Sequence, residues 1–205
     1  MVDFLARGVM KFKREGFRKN RALFRKLAKS QSPRILFVTC ADSRVVPQLI
    51  TQTRPGDLFV ERNPGNIVPI YGTHAWGGAA SVEYAVSVLK VEHIIVCGHS
   101  DCGAVKGMLH PEKLSAVPEV KRWLAYSNRS PQMLARRARG LSEERQLELL
   151  TQINVIVQIE HLKSHPSVRK RLKQGKLELH GWVYRIHDGE ILQLHQRTGE
   201  FLPWP

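Results

Sequence analysis

Ile35-Leu36-Phe37-Val38-Thr39 runs directly into Cys40-Ala41-Asp42-Ser43-Arg44, and the reading of this passage decides the fold. Apolar and β-branched residues in a run too short for an ordinary helix predict a buried strand. Leu58-Phe59-Val60-Glu61 and His93-Ile94-Ile95-Val96-Cys97 repeat the pattern. Segments with helical spacing lie between and after them. In residues 75–90, Ala79, Val82, Ala85, Val86 and Leu89 form one apolar face of a helix that also carries Tyr84. Such alternation specifies an α/β fold with a mostly parallel central sheet and flanking helices.

Further along, Ser142 reads as the N-cap of a long amphipathic helix reaching about Leu162. Pro166 opens another helix, which Gly175 ends. Residues 177–186, the turn His187-Asp188-Gly189 and residues 191–196 predict a hairpin. The Pro- and Gly-rich stretch 62–78 reads as an ordered loop, and in such folds loops of this kind carry function.

The strands deliver a donor set. Cys40 ends the first, His99 lies just beyond the third, and Cys102 follows closely. Zinc takes sulfur and nitrogen ligands tetrahedrally, and catalytic sites hold three protein ligands and leave a fourth position open. Two thiols and one imidazole without paired CxxC motifs fit an open site better than a closed structural one. The carboxyl ends of strands are also where open α/β sheets place their sites. Asp42 and Arg44 stand close enough to Cys40 to pair and to reach the open position. Cys97 reads as a small buried hydrophobe, and Asp101 as a solvated or helix-starting residue. His74, His93, His161, His165, His180 and His195 show no mutual metal spacing and read as structural or surface groups.

Cys40-x-Asp42-x-Arg44 and His99-x-x-Cys102-Gly103 resemble the motifs of the β-class carbonic anhydrases. Arg62-Asn63-Pro64-Gly65-Asn66, Glu83-Tyr84-Ala85-Val86 and His180-Gly181-Trp182-Val183-Tyr184 are similar to other stretches of that family, in the same order. The likeness runs from about Phe12 to Tyr184 and most resembles the bacterial branch that accompanies cyanate degradation. It implies one domain over 1–205, with an N-terminal helical dimerisation arm (1–30), a zinc-binding α/β core (31–205) and a C-terminal hairpin strand. It also implies reversible hydration of carbon dioxide to bicarbonate and a proton, with hydroxide held on one Zn2+ per subunit as nucleophile.

In this resemblance Cys40, His99 and Cys102 are the metal ligands, and Asp42 and Arg44 are the catalytic pair. Gln31, Phe59, Tyr84 and Gly103 are the substrate contacts, and the active site lies at the interface of a homodimer or of a tetramer of such dimers. Arg62 and Tyr184 are present, but Phe37 stands where the bicarbonate-regulated type has a tryptophan, which implies the plant-like, permanently open type. Two thiolates cancel the charge of the ion, so its water should be less acidic than under three imidazoles, and activity should rise into alkaline pH. Two alternatives remain open at this level. Paralogues with the same ligands hydrolyse carbonyl sulfide or carbon disulfide, a choice set by pocket shape, and the basic charge alone favours a noncatalytic zinc or nucleic-acid-binding protein.

The bulk properties agree with an enzyme of one domain: 205 residues and 42% hydrophobic residues can bury a sizeable core. No apolar run of about 18 residues exists to span a bilayer, and residues 1–15 lack the apolar core of a signal peptide. A cytoplasmic location is expected. The 3 cysteines make a disulfide scaffold implausible, and a reducing compartment would keep thiols available for metal. The net charge of +14 is spread over residues 11–26, 136–139 and 169–173. Solvated helix faces account for it without a nucleic-acid or membrane partner, since no aromatic stacking module accompanies the charges.

Overall fold

β1 (Ile35–Cys40), β2 (Leu58–Asn63), β3 (His93–His99) and β4 (Glu178–Tyr184) pair in parallel, and β5 (Ile191–His195) and β6 (Glu200–Pro203) continue the sheet antiparallel. The order is β2-β1-β3-β4-β5-β6. The structure, a computed structural model, describes residues 2–73 and 77–204. The predicted start of the helix at Ala75, and His74, lie outside the described residues.

The middles of β1 and β3, Leu36–Val38 and Ile94–Val96, are continuously apolar because both faces are covered there. Leu36, Val38, Ile94 and Val96 pack with Val82, Ala85, Val86, Val155 and Leu162 on one side. Phe37, Ile95 and Cys97 pack with Trp182 on the other. Phe37 and Leu36 are fully buried, each contributing about 1.5–3 kcal/mol by removal from water. Cys97 is likewise fully buried, as expected of a small hydrophobe.

The long helix spans Glu143–Ser164, and the Ser142 hydroxyl accepts from the Arg145 amide at 3.3 Å. Only its first turns are amphipathic. From Leu150 onward it is apolar on two sides, with Ile153 and Val157 in one cluster and Val155 and Ile159 in another. It lies between the sheet and the helix Arg129–Ala135, which contributes Leu134 to the second cluster. Close approach to the sheet depends on glycine. A Cβ on Gly181 would stand 2.9 Å from Val155 Cγ1, and one on Gly98 would stand 3.0 Å from Val155 Cγ2.

The helix Gly77–Glu83 widens into a π turn over Tyr84–Val88, and Pro166–Lys173 forms the next helix as the sequence predicts. The hairpin of β4 and β5 also forms, but β6 was not legible: its run is very short and ends in Pro203. That proline is tolerated because β6 is an edge strand. At the N-terminus, helical segments cover Asp3–Lys11, Phe12–Gly16, Phe17–Lys19 and Arg21–Leu27. Phe12, Phe17 and Phe24 cluster ring to ring, whereas Phe4, Leu5, Val9 and Met10 are each more than half exposed. No helix among the described residues is long and apolar enough to cross a membrane.

Two buried histidines pin the loop after β2. His161 Nδ1 donates to the Val68 carbonyl at 2.7 Å, and His165 Nε2 donates to the Pro69 carbonyl at 3.0 Å. Burial lowers the pKa of both imidazoles. A base held neutral in this way contributes stability that is complete above its unfolded pKa of about 6.5 and is lost as pH falls through the folded value. The thermal midpoint is therefore expected to drop as pH falls below about 6.5, and to drop less in His165→Gln. Circular dichroism melts with identical pH slopes for the two proteins would contradict this account.

Candidate metal centre

Because β1 and β3 are neighbours in parallel register, their carboxyl ends meet, bringing Cys40 and His99 together. His99 is the last residue of β3 and not the residue beyond it. Two residues after Ser100, Cys102 precedes the helix Gly103–Leu109 with an extended backbone. The side-chain donor atoms of Cys40, His99 and Cys102 all lie within 4.8 Å of one another.

The sulfurs of Cys40 and Cys102 are 3.9 Å apart. Two thiolates on one tetrahedral zinc, at about 2.3 Å each, would stand about 3.8 Å apart. His99 Nδ1 donates to the Ser100 carbonyl at 2.9 Å, which fixes the tautomer and leaves the Nε2 lone pair free. That Nε2 is fully buried and lacks any hydrogen-bond partner. An orphaned imidazole nitrogen facing two free, buried thiols is costly unless an ion is bound. The donor set therefore fits a metal ion.

Cys40 is prepared for the thiolate form. The hydrogen bond with Cys102 chiefly pulls its thiol below the usual range, with the Gly65 and Asp42 amides adding to it against burial. Cys102 is pushed up by the same hydrogen bond, by burial and by the charge on Cys40. A bound dication would deprotonate both.

Asp42 and Arg44 pair as predicted. Arg44 Nε and Nη2 donate to the two carboxylate oxygens at 3.0 and 2.9 Å, and the Arg44 amide adds a third bond at 3.0 Å. Arg44 holds the Asp42 carboxyl well below the usual carboxylate range. Asp42 Oδ2 stands 3.9 Å from His99 Nε2, beside the donor set.

Asp101 is solvated, one of the two expected readings, and does not start the following helix. Its backbone is left-handed at φ 58°, and Cys102, not Asp101, is the residue that caps the following helix. Asp101 accepts from Arg44 Nη1 at 3.0 Å and also pairs with Lys106. Its side chain thus becomes a second anchor for Arg44. Nothing local in the sequence marks this contact, which arises from the meeting of two strand ends.

The loop after β2, expected to be ordered and to carry function, reaches the donor set through its backbone and Arg62. The Gly65 amide donates to Cys40 Sγ at 3.4 Å, and Arg62 donates to the carbonyls of Cys40 and Asp42 at 3.1 and 2.7 Å. Gly65 has φ 80°, and a Cβ there would press on Ala104 at 3.0 Å, so glycine is required. Asn154 Nδ2 holds the Gly65 carbonyl at 2.9 Å, and Gln158 accepts from the Val68 amide at 2.9 Å. The available signal was a polar stripe, Thr151, Asn154, Gln158 and His161, at helical spacing within an apolar helix.

The remaining expected contacts are dispersed. Gln31 is exposed ahead of β1, at the end of the strand opposite to Cys40. Phe59 pairs in register with Leu36, four residues or roughly 13 Å along the strand from Cys40. Phe59 and Tyr84 touch, with ring centroids 5.9 Å apart, and Tyr84 is 43% exposed. Gly103 directly follows Cys102, with open space where a side chain would project. The supposed lack of metal spacing among the other histidines also needs correction. His93 and His180 meet with Glu178 across β3 and β4, a juxtaposition that strand register creates and sequence separation hides.

The fold and site together define an α/β protein with a buried group of two cysteines and a histidine that could hold a metal ion at the carboxyl ends of its strands, flanked by a carboxylate–guanidinium pair. Residues 35–191 match the carbonic anhydrase family model. The chain is 43% identical to a carbonic anhydrase of Synechococcus elongatus, over 96% of this chain and 72% of that protein. It is 47% identical to carbonic anhydrase 1 of Escherichia coli O157:H7, over 96% of this chain and 89% of that protein. Among solved structures, the β-carbonic anhydrase CcaA superposes with a TM-score of 0.96 at 41% identity, covering 98% of each chain. A β-carbonic anhydrase of Sordaria macrospora, described as tetrameric, gives a TM-score of 0.86 at 32% identity, covering 94% of this chain and 96% of that one. The chain belongs to the carbonic anhydrase family, in its β class.

Proposed function

We propose that this chain catalyses the reversible hydration of carbon dioxide to bicarbonate and a proton, with one zinc ion held by Cys40, His99 and Cys102. The observation that carries the reading is the buried, partnerless His99 Nε2 facing two free thiols, with Asp42 beside them. Zinc bound there would supply an acidified water as nucleophile at near-neutral pH.

The protein's own residues do the rest. Ser100 orients His99 through its carbonyl, and the Gly65 amide hydrogen-bonds the Cys40 sulfur. Asp42, kept ionised by Arg44, is an acceptor only and so orients a proton-bearing nucleophile beside the metal ligands. Arg44 holds that carboxylate from two sides, tied in turn to Asp101. Gly103 leaves room next to Cys102 for a small substrate.

Gln31, Phe59 and Tyr84 reach the pocket from a second copy of the chain. The exposure of Gln31 and Tyr84 and the distance of Phe59 from Cys40 along its strand support this, as do the exposed apolar side chains Phe4, Leu5, Val9 and Met10 in the dimerisation arm (1–30). The chain is then a homodimer or a tetramer. Light scattering at micromolar concentration is expected to give at least twice the chain mass of 23.4 kDa, and a monomer would contradict the composite pocket.

Removing zinc with a chelator should abolish hydration measured by stopped flow, and adding zinc back should restore it. Hydration indifferent to zinc removal would overturn the metal assignment.

A further inference from the structure

At the end of the sheet opposite to Cys40 and His99, β3 and β4 begin with His93 and Glu178 directly opposed in parallel register. His180 lies two residues further along β4, on the same face as Glu178. His93 Nδ1 and His180 Nε2 are 3.2 Å apart, and Glu178 Oε2 is 3.7 Å from each of them. The register is fixed by the backbone, since the Glu178 amide donates to the Glu92 carbonyl at 2.9 Å.

We propose that His93, His180 and Glu178 form a second metal site, binding a divalent first-row transition ion through two imidazole nitrogens and a carboxylate. Ligands at about 2.1 Å from one ion, at tetrahedral or octahedral angles, lie about 3.0–3.4 Å apart, close to the separations seen here. Two imidazoles and one carboxylate also suit such ions and leave coordination positions for water. Burial and the neighbouring His93 lower the pKa of His180, which favours the neutral form that binds metal. The site is open to solvent: the side chains of His93, Glu178 and His180 are 34%, 68% and 25% exposed. The nearby guanidinium of Arg34 is already paired with Glu92.

His93 begins β3 and His99 ends it, so this site lies roughly 20 Å from the metal centre already described, beyond the reach of any shared ligand. An ion here would tie the first residues of β3 and β4 together and make the stability of the fold depend on metal supply. Without an ion, the two imidazoles share a hydrogen bond between their ring nitrogens.

The test uses tag-free, zinc-loaded protein titrated with Ni2+ by calorimetry, with zinc content checked before and after. One Ni2+ per subunit is expected at micromolar or tighter affinity. His93→Ala and His180→Ala should each weaken it by at least about 100-fold, the upper end of what loss of an outer-sphere partner costs, and Glu178→Gln by about 10-fold. Unchanged hydration of carbon dioxide and unchanged zinc content would show that the variants are folded. No Ni2+ binding beyond zinc, or binding that survives both histidine substitutions, would overturn the proposal.

Discussion

Asp42→Asn is expected to retain zinc at the wild-type stoichiometry and to lose hydration activity by about 100-fold or more, the range associated with a positioned proton acceptor. The reason is the direction in which the side chain points its charge. Arg44 presents two donors to the two carboxylate oxygens, so an amide at this position turns its oxygen toward the guanidinium and its NH2 group toward the metal ligands. A group that accepts then becomes one that donates, and the nucleophile loses its orienting partner. None of the three metal ligands changes, which is why metal content and activity should separate. Equal turnover in the variant, measured by stopped flow with zinc quantified by mass spectrometry, would remove Asp42 from the mechanism.

Asn154→Ala should have the largest effect on stability. Asn154 is buried, donates to the Gly65 carbonyl, and accepts from Ser127, Ser130 and Gln158 at 2.6, 3.3 and 2.8 Å. Truncation leaves a carbonyl and several donors unpaired in the interior, a loss of about 2–4 kcal/mol. For a chain of this size that is roughly 4–16 °C in melting temperature. The damage should also reach the metal centre, because the Gly65 carbonyl and the Gly65 amide that meets Cys40 belong to one loop. Weaker zinc retention against a chelator is therefore expected alongside the lower melting point. A melting point within about 2 °C of wild type would show that the network does not hold the loop.

The residues that make the fold legible are those whose neighbours in sequence decide their environment. Ile35 to Val38 and Ile94 to Cys97 are apolar on successive positions because these stretches of parallel central strands are covered twice, and Ser142 and Pro166 announce their helices through local backbone chemistry. The meeting of Cys40, His99 and Cys102 was legible too, since residue type and position at strand ends bring these donors to one place. Contacts made across the sheet were not. Asp101 joins Arg44, and His93 joins His180 and Glu178, only after register is set. The same holds for Asn154, whose partner at Gly65 is distant in sequence, although the polar stripe along its helix was visible. β6 escaped because four residues ending in proline carry almost no periodic signal.

The most direct test of the central claim is carbon dioxide hydration by stopped flow on zinc-loaded protein, with Cys102→Ser as the control and carbonyl sulfide as the competing substrate. The account predicts fast hydration by the wild type, loss of both zinc and hydration in Cys102→Ser, and little release of sulfide. Slow hydration with rapid sulfide release, or hydration that survives Cys102→Ser, would contradict it.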